Sequence, residues 1–120
     1  VYGHNNMLNK DKGVSAEKRA SKYLQKEGYE ILEANYQQGK AEIDLITLKE
    51  NKLLVFVEVK ARKNNSFGEP EEFVSSSQQK RIIGLAEKYI YDINWTGDIR
   101  FDIITMKDNG ELLHIEDAFY

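Results

Sequence analysis

Cysteine is absent from the 120-residue sequence, and proline occurs only once, at Pro70. Without cysteine, disulfide bonds, thiolate zinc sites and thiol catalysis are excluded, and the composition is typical of a reducing compartment. The sequence also lacks an uninterrupted run of about 18 apolar residues and a basic-then-apolar leader. We therefore expect a cytoplasmic protein without a membrane span or a secretory signal, folded around an ordinary hydrophobic core.

Positive charge is also scarce overall, because the net charge is −3 and the isoelectric point is about 5.4. A negative net charge, taken over the whole chain, argues against a polyanionic partner such as nucleic acid. The charge is unevenly distributed, however: residues 10–26 have a local charge of +4 and residues 92–120 a local charge of −5. The basic segment, together with Lys60, Arg62 and Lys63, predicts a cationic face, although a solvated helix surface explains these charges equally well.

Hydrophobic spacing predicts two helices and five strands in the order αβββαββ. Ala16, Ala20 and Leu24 recur at helical spacing in the first helix, which Gly28 ends, and a serine near Ser75 caps the second helix. Strands are predicted in the segments GYEILEANY, AEIDLITL, LLVFVEVK, DIRFDIITM and ELLHI. The order predicts an α/β fold, a mixed β-sheet with helices on its faces.

The length favours one domain, which we place at residues 13–120, after a flexible N-terminal segment at residues 1–12. The segment ARKNNSFGEPEEF, residues 61–73, is the one long irregular connection. Connections of this length often carry function, so this loop is a candidate for ordering over a ligand.

Charged residues interrupt the apolar strand LLVFVEVK at its end. Because side chains alternate across a strand, Leu54, Phe56, Glu58 and Lys60 share one face, while valines occupy the other. A strand that is apolar on both faces is expected to be central, and α/β sheets commonly place their sites at strand ends. The alternative is a cross-strand ion pair on a half-exposed face, which would contribute only about 0.2 to 1 kcal/mol.

Asp44, on the preceding strand, joins Glu58 only in one register. An even-numbered turn centred between Glu50 and Asn51 places Asp44 opposite Val57, whereas a shift by one residue, or a bulge, places it on the Glu58 face. Two converging carboxylates repel each other at pH 7 unless a divalent cation lies between them. Oxygen ligands, without cysteine or a nearby histidine, favour Mg²⁺ or Mn²⁺ as the cofactor.

Two further residues have plausible roles beside such an ion. The Lys60 ammonium can stabilise charge on a phosphate oxygen, or orient and help deprotonate an attacking water. Glu17 borders the packed face near the start of the first helix and is a candidate for the same site, although a helix-dipole partner or a surface acid explains it as well. The pattern is typical of metal-assisted hydrolysis of a phosphodiester.

Seven short segments follow one another in a distinctive order and spacing: GxxAExxAxxYL from Gly13, GYEILEANY from Gly28, GKAEIDLI from Gly39, VFVEVKAR from Val55, FGEPEE from Phe67, RFD from Arg100 and DAF from Asp117. In these segments the chain resembles the YraN-type bacterial proteins, a group similar to the restriction-endonuclease superfamily with the PD-(D/E)xK signature and to archaeal Holliday-junction resolvases. The resemblance covers nearly all residues from Gly13 onward.

The resemblance implies a restriction-endonuclease-like fold with Asp44, Glu58 and Lys60 at the metal and catalytic positions. It also implies that Glu17 matches the helix glutamate that resolvase-like relatives place near the metal. Glu42, the glutamate of the family's GEID segment, is an outer-shell candidate, because it lies two residues from Asp44 on the same face.

Departures from the family pattern concern cationic contacts with nucleic acid. Relatives tend to carry lysine around Gln78, where this chain has glutamine followed by Lys80 and Arg81. Glutamine fills such a place in other nucleases of the superfamily, so these three residues, with Arg62 and Lys63, are the nucleic-acid-binding candidates. Gln37 stands where the family often has arginine after Asn-Tyr.

The leading hypothesis is a divalent-metal-dependent endonuclease acting on DNA, selective for branched or damaged structures. RNA remains an alternative substrate, and symmetric cutting of two strands would require a homodimer. The alternative from another class is a non-catalytic nucleic-acid-binding or scaffolding module that retains the fold. Arg100 and Asp102 share a strand face and could pair with each other or with the final hairpin, while His114 is interpreted as structural or incidental.

Overall fold

The computed structural model describes residues 16–62 and 74–120, and the following account concerns those residues. Residues 16–26 form helix α1, and Ser76–Asp92 form helix α2. The strands are β1 (Tyr29–Gln38), β2 (Ala41–Lys49), β3 (Leu53–Ala61), β4 (Asp98–Met106) and β5 (Leu112–Ile115). The predicted order αβββαββ is therefore confirmed. The predicted N-terminal segment 1–12 and most of the 61–73 loop lie outside the described residues.

The five strands form one mixed sheet in the order β1-β2-β3-β4-β5. The pair β3 and β4 is parallel, because α2 connects them, and the other neighbouring pairs are antiparallel. Strand β3 is central, as its two apolar faces predict. The α/β fold with a mixed sheet and helices on its faces is confirmed.

Each face of the sheet is covered by one helix. On the α1 side, Ala16, Ala20 and Leu24 pack against Val55 and Val57 of β3. These three helix residues are buried, as their spacing predicts. This side has a hydrophobic cluster of its own, separate from the one on the other face.

On the opposite side, α2 packs Ile82, Leu85 and Ala86 against Leu54 and Phe56. Because Glu58 and Lys60 follow Phe56 at intervals of two, they emerge on this α2 side, at the end of the strand.

Helix α2 begins at the predicted serine cap. Ser75 has extended backbone angles, and its hydroxyl accepts a hydrogen bond from the Gln78 N–H at 3.2 Å. In the sequence, the helical spacing of apolar residues from Ile82 onward predicts an apolar face of α2 that continues to Ile93, and this prediction is wrong. The helix ends at Asp92, and the Ile93 side chain is 42% exposed, because Ile93 terminates the last turn instead of lying over the sheet.

Candidate active site at the end of the central hairpin

The β2–β3 hairpin has the register that places Asp44 beside Glu58. The pairs run from Lys49↔Leu53 to Leu45↔Val57, which leaves the three residues 50–52 as the turn. Glu50 and Asn51 have positive φ angles of 55° and 57° in this turn. If the same register continues by one residue, Asp44 lies opposite Glu58. The turn therefore has an odd number of residues, and the even-numbered turn that would place Asp44 opposite Val57 does not form.

Asp44 ends the hydrogen-bonded ladder between the two strands. Its Oδ2 atom accepts the backbone N–H of Val59 at 2.7 Å, a bond made by a side chain where a strand partner would otherwise contribute a carbonyl. The strands therefore separate at this point, and the carboxylate of Asp44 is held in the gap.

Glu58 is a buried carboxylate with few hydrogen-bond donors. The residue is 6% exposed, its Oε2 atom accepts a 2.6 Å hydrogen bond from Gln78 Nε2, and its Oε1 atom has no hydrogen-bond partner. Burial, followed by the negative charge of Asp44, raises the pKa of Glu58 to about 8, and the nearby Lys60 opposes this shift. A hydrogen bond between the two carboxyl groups adds to the rise in the pKa of Glu58, so Asp44 and Glu58 lie close together.

Lys60 lies beside the pair without neutralising it. Its Nζ atom is 3.6 Å from Glu58 Oε2, which is an ion-pair distance but too long for a good hydrogen bond. The Lys60 side chain is 31% exposed, so the ammonium is available to a molecule that approaches from solvent. The structure therefore brings Asp44, Glu58 and Lys60 to one end of one hairpin.

Glu17 approaches the same end from helix α1. Burial, and then the negative charge of Asp44, raise the pKa of Glu17, whereas a hydrogen bond from the Asn35 side chain lowers it. The negative charge of Glu42 also raises the pKa of Glu17, by a smaller amount. Glu42 itself is exposed, so it acts on the site through its charge.

Asn35 is a site residue that the sequence analysis missed. It lies inside strand β1 with a positive φ angle of 54°, between the pairs Ala34↔Leu45 and Tyr36↔Ile43, and so beside Asp44. Asparagine tolerates this left-handed conformation better than most residues. The only sign of this role in the sequence is an asparagine within an otherwise strand-like segment. An asparagine there is equally typical of a turn.

The predicted nucleic-acid contacts are distributed unevenly. Gln78, at the start of α2, donates to Glu58 and so belongs to the site itself. Lys80 and Arg81 are exposed on the same helix. Arg62 follows β3, where its N–H donates to the Met106 carbonyl at 2.7 Å, and Lys63 lies outside the described residues.

The donor set is compatible with a hard divalent cation. Within residues 16–62 and 74–120, no three histidine, aspartate or glutamate side chains come together closely enough to hold a metal ion. Two carboxylates are nevertheless sufficient for Mg²⁺, which commonly retains several waters and takes further oxygen ligands from a substrate phosphate. Glu58 Oε1, buried and without a donor, is the atom best suited to such an ion.

A second polar cluster lies on the α1 side of the sheet. Arg100 makes two 2.8 Å hydrogen bonds to Asp102, whose Oδ2 atom is also 2.7 Å from His114 Nε2. Tyr23 and Tyr29 complete the cluster through His114 Nδ1 and the Arg100 guanidinium. Both pairings left open for Arg100 and Asp102 therefore occur. Since Asp102 is fully buried and its partners satisfy it, this cluster fastens α1 and β5 to β4.

Comparisons with known proteins agree with the motif-based resemblance. A model of the uncharacterised protein family UPF0102 matches residues 16–106. A UPF0102 protein of Cytophaga hutchinsonii is 43% identical over 107 residues, covering 89% of this chain and 94% of that protein. A UPF0102 protein of Clostridium beijerinckii is 43% identical over 118 residues, covering 93% of this chain and 95% of that protein.

Among solved structures, a match is "The structure of Pyrococcus Furiosus SfsA in complex with Ca2+". The TM-score is 0.34 at 15% identity, with 90% of this chain and 63% of the SfsA chain covered. A likeness of that size carries no argument about function. Also, no helix in the described part of the chain is long and apolar enough to span a membrane. From the family model and the relatives above 40% identity, the chain belongs to the uncharacterised protein family UPF0102, the YraN-type family.

Proposed function

We propose that this protein is a divalent-metal-dependent endonuclease that hydrolyses phosphodiester bonds in DNA, with Mg²⁺ or Mn²⁺ as cofactor. One observation carries the proposal: Asp44 and Glu58 come together at the end of a buried hairpin, and Glu58 Oε1 has no hydrogen-bond donor. An ion pair for stability alone would be expected to satisfy both carboxylates. Here the Lys60 ammonium is 3.6 Å from Glu58 Oε2 and offsets the charge of the pair only in part, so a divalent cation would stabilise the two ionised carboxylates further.

The residues of the chain would hold and orient the reactants. Asp44 and Glu58 would ligate the ion, which supplies positive charge to the phosphate and to the attacking water in the transition state. Gln78 and the Val59 N–H fix the two carboxylates by hydrogen bonds to the oxygens that are not needed as ligands. These bonds keep the pair in place before a substrate arrives, so little reorganisation is needed.

Lys60 would stabilise negative charge on the phosphate, and Glu17 would accept a proton from the attacking water. The Lys60 ammonium stabilises negative charge that develops on a phosphate oxygen and orients the attacking water. Glu17, whose pKa is raised, is suited to accept a proton from that water, since its proton affinity is closer to the working pH than that of an ordinary glutamate. The Asn35 side chain, whose hydrogen bond lowers the pKa of Glu17, would orient Glu17 toward the water.

The proposed selectivity is for backbone shape rather than base sequence. The two helices at the site contribute Gln78 and Glu17, which act on the carboxylates. Lysine and arginine side chains contact phosphates without regard to sequence. Branched or damaged DNA is the substrate class that fits this mode of recognition. RNA shares the phosphodiester chemistry and is the comparison substrate.

One observation favours the alternative, a non-catalytic nucleic-acid-binding module. Only two carboxylates meet closely in the described part of the chain, whereas many nucleases use three acidic ligands, and Glu17 approaches without completing a three-acid group. A binding module would retain affinity for nucleic acid and show no hydrolysis with either metal.

The test is cleavage of supercoiled, single-stranded and four-way-junction DNA, and of single-stranded RNA, with Mg²⁺, Mn²⁺ or EDTA. The variants are Asp44→Asn and Glu58→Gln, which remove a charge with little change in shape. Asp92→Asn is the matched control, because Asp92 is an exposed acid on α2 that pairs with Lys88. We expect each site variant to lose activity by about 100-fold or more and the control to keep it. Equal activity in wild type and site variants would defeat the proposal.

A further inference from the structure

Thr105, in strand β4, is a fully buried residue whose hydroxyl has no hydrogen-bond partner. Within residues 16–62 and 74–120, only two buried side-chain polar atoms lack a partner, Thr105 Oγ1 and Glu58 Oε1. Burial of a hydroxyl without a hydrogen bond destabilises a fold, because the hydroxyl loses its bonds to water. Native structures contain few such groups, so a threonine at this position is better explained by function than by packing.

The two atoms without partners lie on the same side of the sheet, near the same end of two neighbouring strands. In the parallel pair of β3 and β4, Glu58 is the partner of Ile103, and Lys60 is the partner of Thr105. Partner residues in neighbouring strands are about 4.8 Å apart and point to the same face of the sheet. Ile103 belongs to the hydrophobic cluster on the α2 side. The Thr105 hydroxyl therefore lies on the α2 side, next to Lys60.

Lys60 can donate a hydrogen bond to this hydroxyl. An ammonium group has three N–H donors on a flexible four-carbon stem, so it can move between neighbouring acceptors. The contact of Lys60 Nζ with Glu58 Oε2, at 3.6 Å, is an ion pair and too long for a good hydrogen bond. A divalent cation at Asp44 and Glu58 would repel the ammonium and weaken that ion pair. The Thr105 hydroxyl, on the adjacent strand, would then be available to Lys60 as an uncharged acceptor.

We propose that Thr105 is a positioning residue for Lys60: its hydroxyl accepts a hydrogen bond from the Lys60 ammonium when Asp44 and Glu58 hold a divalent cation. The inference rests on the proposed function and deepens it, because Thr105 fixes the ammonium while its other N–H donors contact a phosphate oxygen. The hydrogen bond forms only with the cation in place. By linkage, the cation therefore binds more tightly when the hydroxyl is present.

Thermal unfolding in EDTA first tests whether the fold leaves the Thr105 hydroxyl without a partner. Thr105→Val replaces the hydroxyl by a methyl group of similar size. Thr47→Val is the matched control, because Thr47 is also fully buried within a strand, but its hydroxyl donates to the Val55 carbonyl at 3.1 Å. Thr105→Val should melt about 3 to 6 °C above wild type, and Thr47→Val at or below wild type. If Thr105→Val does not melt above wild type, the proposal is overturned.

Calorimetric titration with Mn²⁺ then tests whether the hydroxyl acts through Lys60. We expect Thr105→Val to bind Mn²⁺ about tenfold more weakly than wild type, and Thr105→Ser, which retains the hydroxyl, to bind within about twofold of wild type. Thr47→Val should also stay within about twofold. When Lys60→Met is present, Thr105→Val should change the affinity by less than about twofold, because the donor is gone. Equal affinity of wild type and Thr105→Val, or an equal loss with and without Lys60, overturns the proposal.

Cleavage rates separate this inference from the proposed hydrolysis. On DNA that wild type cuts in an Asp44-dependent manner, Thr105→Val should lower kcat about tenfold and leave KM within about twofold of wild type. If wild type cuts DNA and Thr105→Val matches it in both kcat and Mn²⁺ affinity, the proposed function stands and the role of Thr105 fails. If Thr105→Val loses Mn²⁺ affinity only when Lys60 is present, but wild type cuts nothing, Thr105 positions Lys60 beside a metal site and the hydrolysis proposal fails.

Discussion

A carboxylate buried beside a second carboxylate destabilises a fold when both are ionised. Glu58 would be in this position once ionised, and its pKa is raised to about 8. It is 6% exposed, lies beside Asp44, and receives one hydrogen bond from Gln78 and an ion pair from Lys60. Its neighbours along the same face of β3, Leu54 and Phe56, would pack well with an apolar residue in its place. A residue that opposes stability at the end of a central strand is better explained by function than by folding.

The first prediction concerns the pH dependence of stability. The pKa of Glu58 is raised to about 8 in the folded state, against an ordinary value near 4.5. Its protonated form therefore favours folding below about pH 4.5, and this contribution is lost as the pH rises to about 8. Glu58→Gln, which cannot ionise, should become more stable relative to wild type across this interval, by about 2 to 4 kcal/mol at pH 8.

Urea unfolding of both proteins in EDTA, between pH 5 and pH 9, measures this difference. Other titrating groups are common to both proteins and cancel when the two are subtracted. Glu87→Gln, at an exposed position on α2, is the matched control and should follow wild type at every pH. If the curves of Glu58→Gln and wild type run parallel, Glu58 is ionised in the fold and the account of its environment is wrong.

The second prediction concerns Gln78, which donates to Glu58 at 2.6 Å. Gln78→Leu removes this donor and should reduce nuclease activity about tenfold, because the carboxylate loses its orientation. Gln78→Lys supplies a cation at the same place and should keep activity at or above the wild-type rate. Initial cleavage rates of the three proteins on one DNA substrate measure the effect. Equal rates in the leucine and lysine variants would show that Gln78 does not act on Glu58.

At the scale of elements, the hairpin turn and a distorted strand position the site. The three-residue turn at 50–52 sets the register that puts Asp44 opposite Glu58. Strand β1 contains a register shift between Ile31 and Glu33, followed by the left-handed residue Asn35. Irregularities of this kind turn a side chain toward a site at the expense of regular pairing. In β1 the irregularity brings the Asn35 side chain to Glu17.

Substitutions at Asn35 separate its backbone role from its side-chain role. Asn35→Gly tolerates the φ angle of 54° and should leave stability nearly unchanged, whereas Asn35→Ala should destabilise the fold by about 1 kcal/mol. Both remove the amide that holds Glu17, so both should lower cleavage activity. Thermal unfolding and cleavage rates together test this prediction. Full activity in Asn35→Gly would show that only the backbone conformation matters.

The Asp102 cluster is predicted to stabilise the fold without taking part in hydrolysis. Asp102→Asn leaves the Arg100 guanidinium and His114 without their carboxylate and should destabilise the protein by about 3 kcal/mol. Glu116→Gln removes the exposed partner of Arg100, 3.5 Å away, and should change stability by less than about 0.5 kcal/mol. Chemical denaturation measures both. Equal effects of the two substitutions would contradict the assignment of Asp102 as the buried centre.

The elements were predictable from the sequence because each has strong local signals. The serine cap at Ser75 and the alternation of side chains in β3 depend on residues close together in the chain. The register of the β2–β3 hairpin was not predictable, because the sequence around Glu50 and Asn51 allows a turn with either an even or an odd number of residues. The position of Glu17 near the start of α1 made it a candidate for the site, but its approach to Asp44 depends on tertiary packing. The same holds for Asn35, for which the sequence gives no local pattern.

At the scale of the whole molecule, the two helices approach one end of the sheet from opposite faces. Helix α2 contributes Gln78 to Glu58, and helix α1 contributes Glu17, so the site lies at the edge of the sheet between the two layers. The exposed lysines of α1 form a basic surface on a chain whose net charge is −3.

The central claim is that Asp44 and Glu58 together hold a divalent cation, and calorimetric titration with Mn²⁺ at pH 8 tests it most directly. The account predicts binding of one Mn²⁺ per chain to wild type and to the exposed-acid control Asp92→Asn, and loss of that binding in Asp44→Asn and Glu58→Gln. Absence of Mn²⁺ binding to wild type, or binding that survives in both site variants, would contradict it.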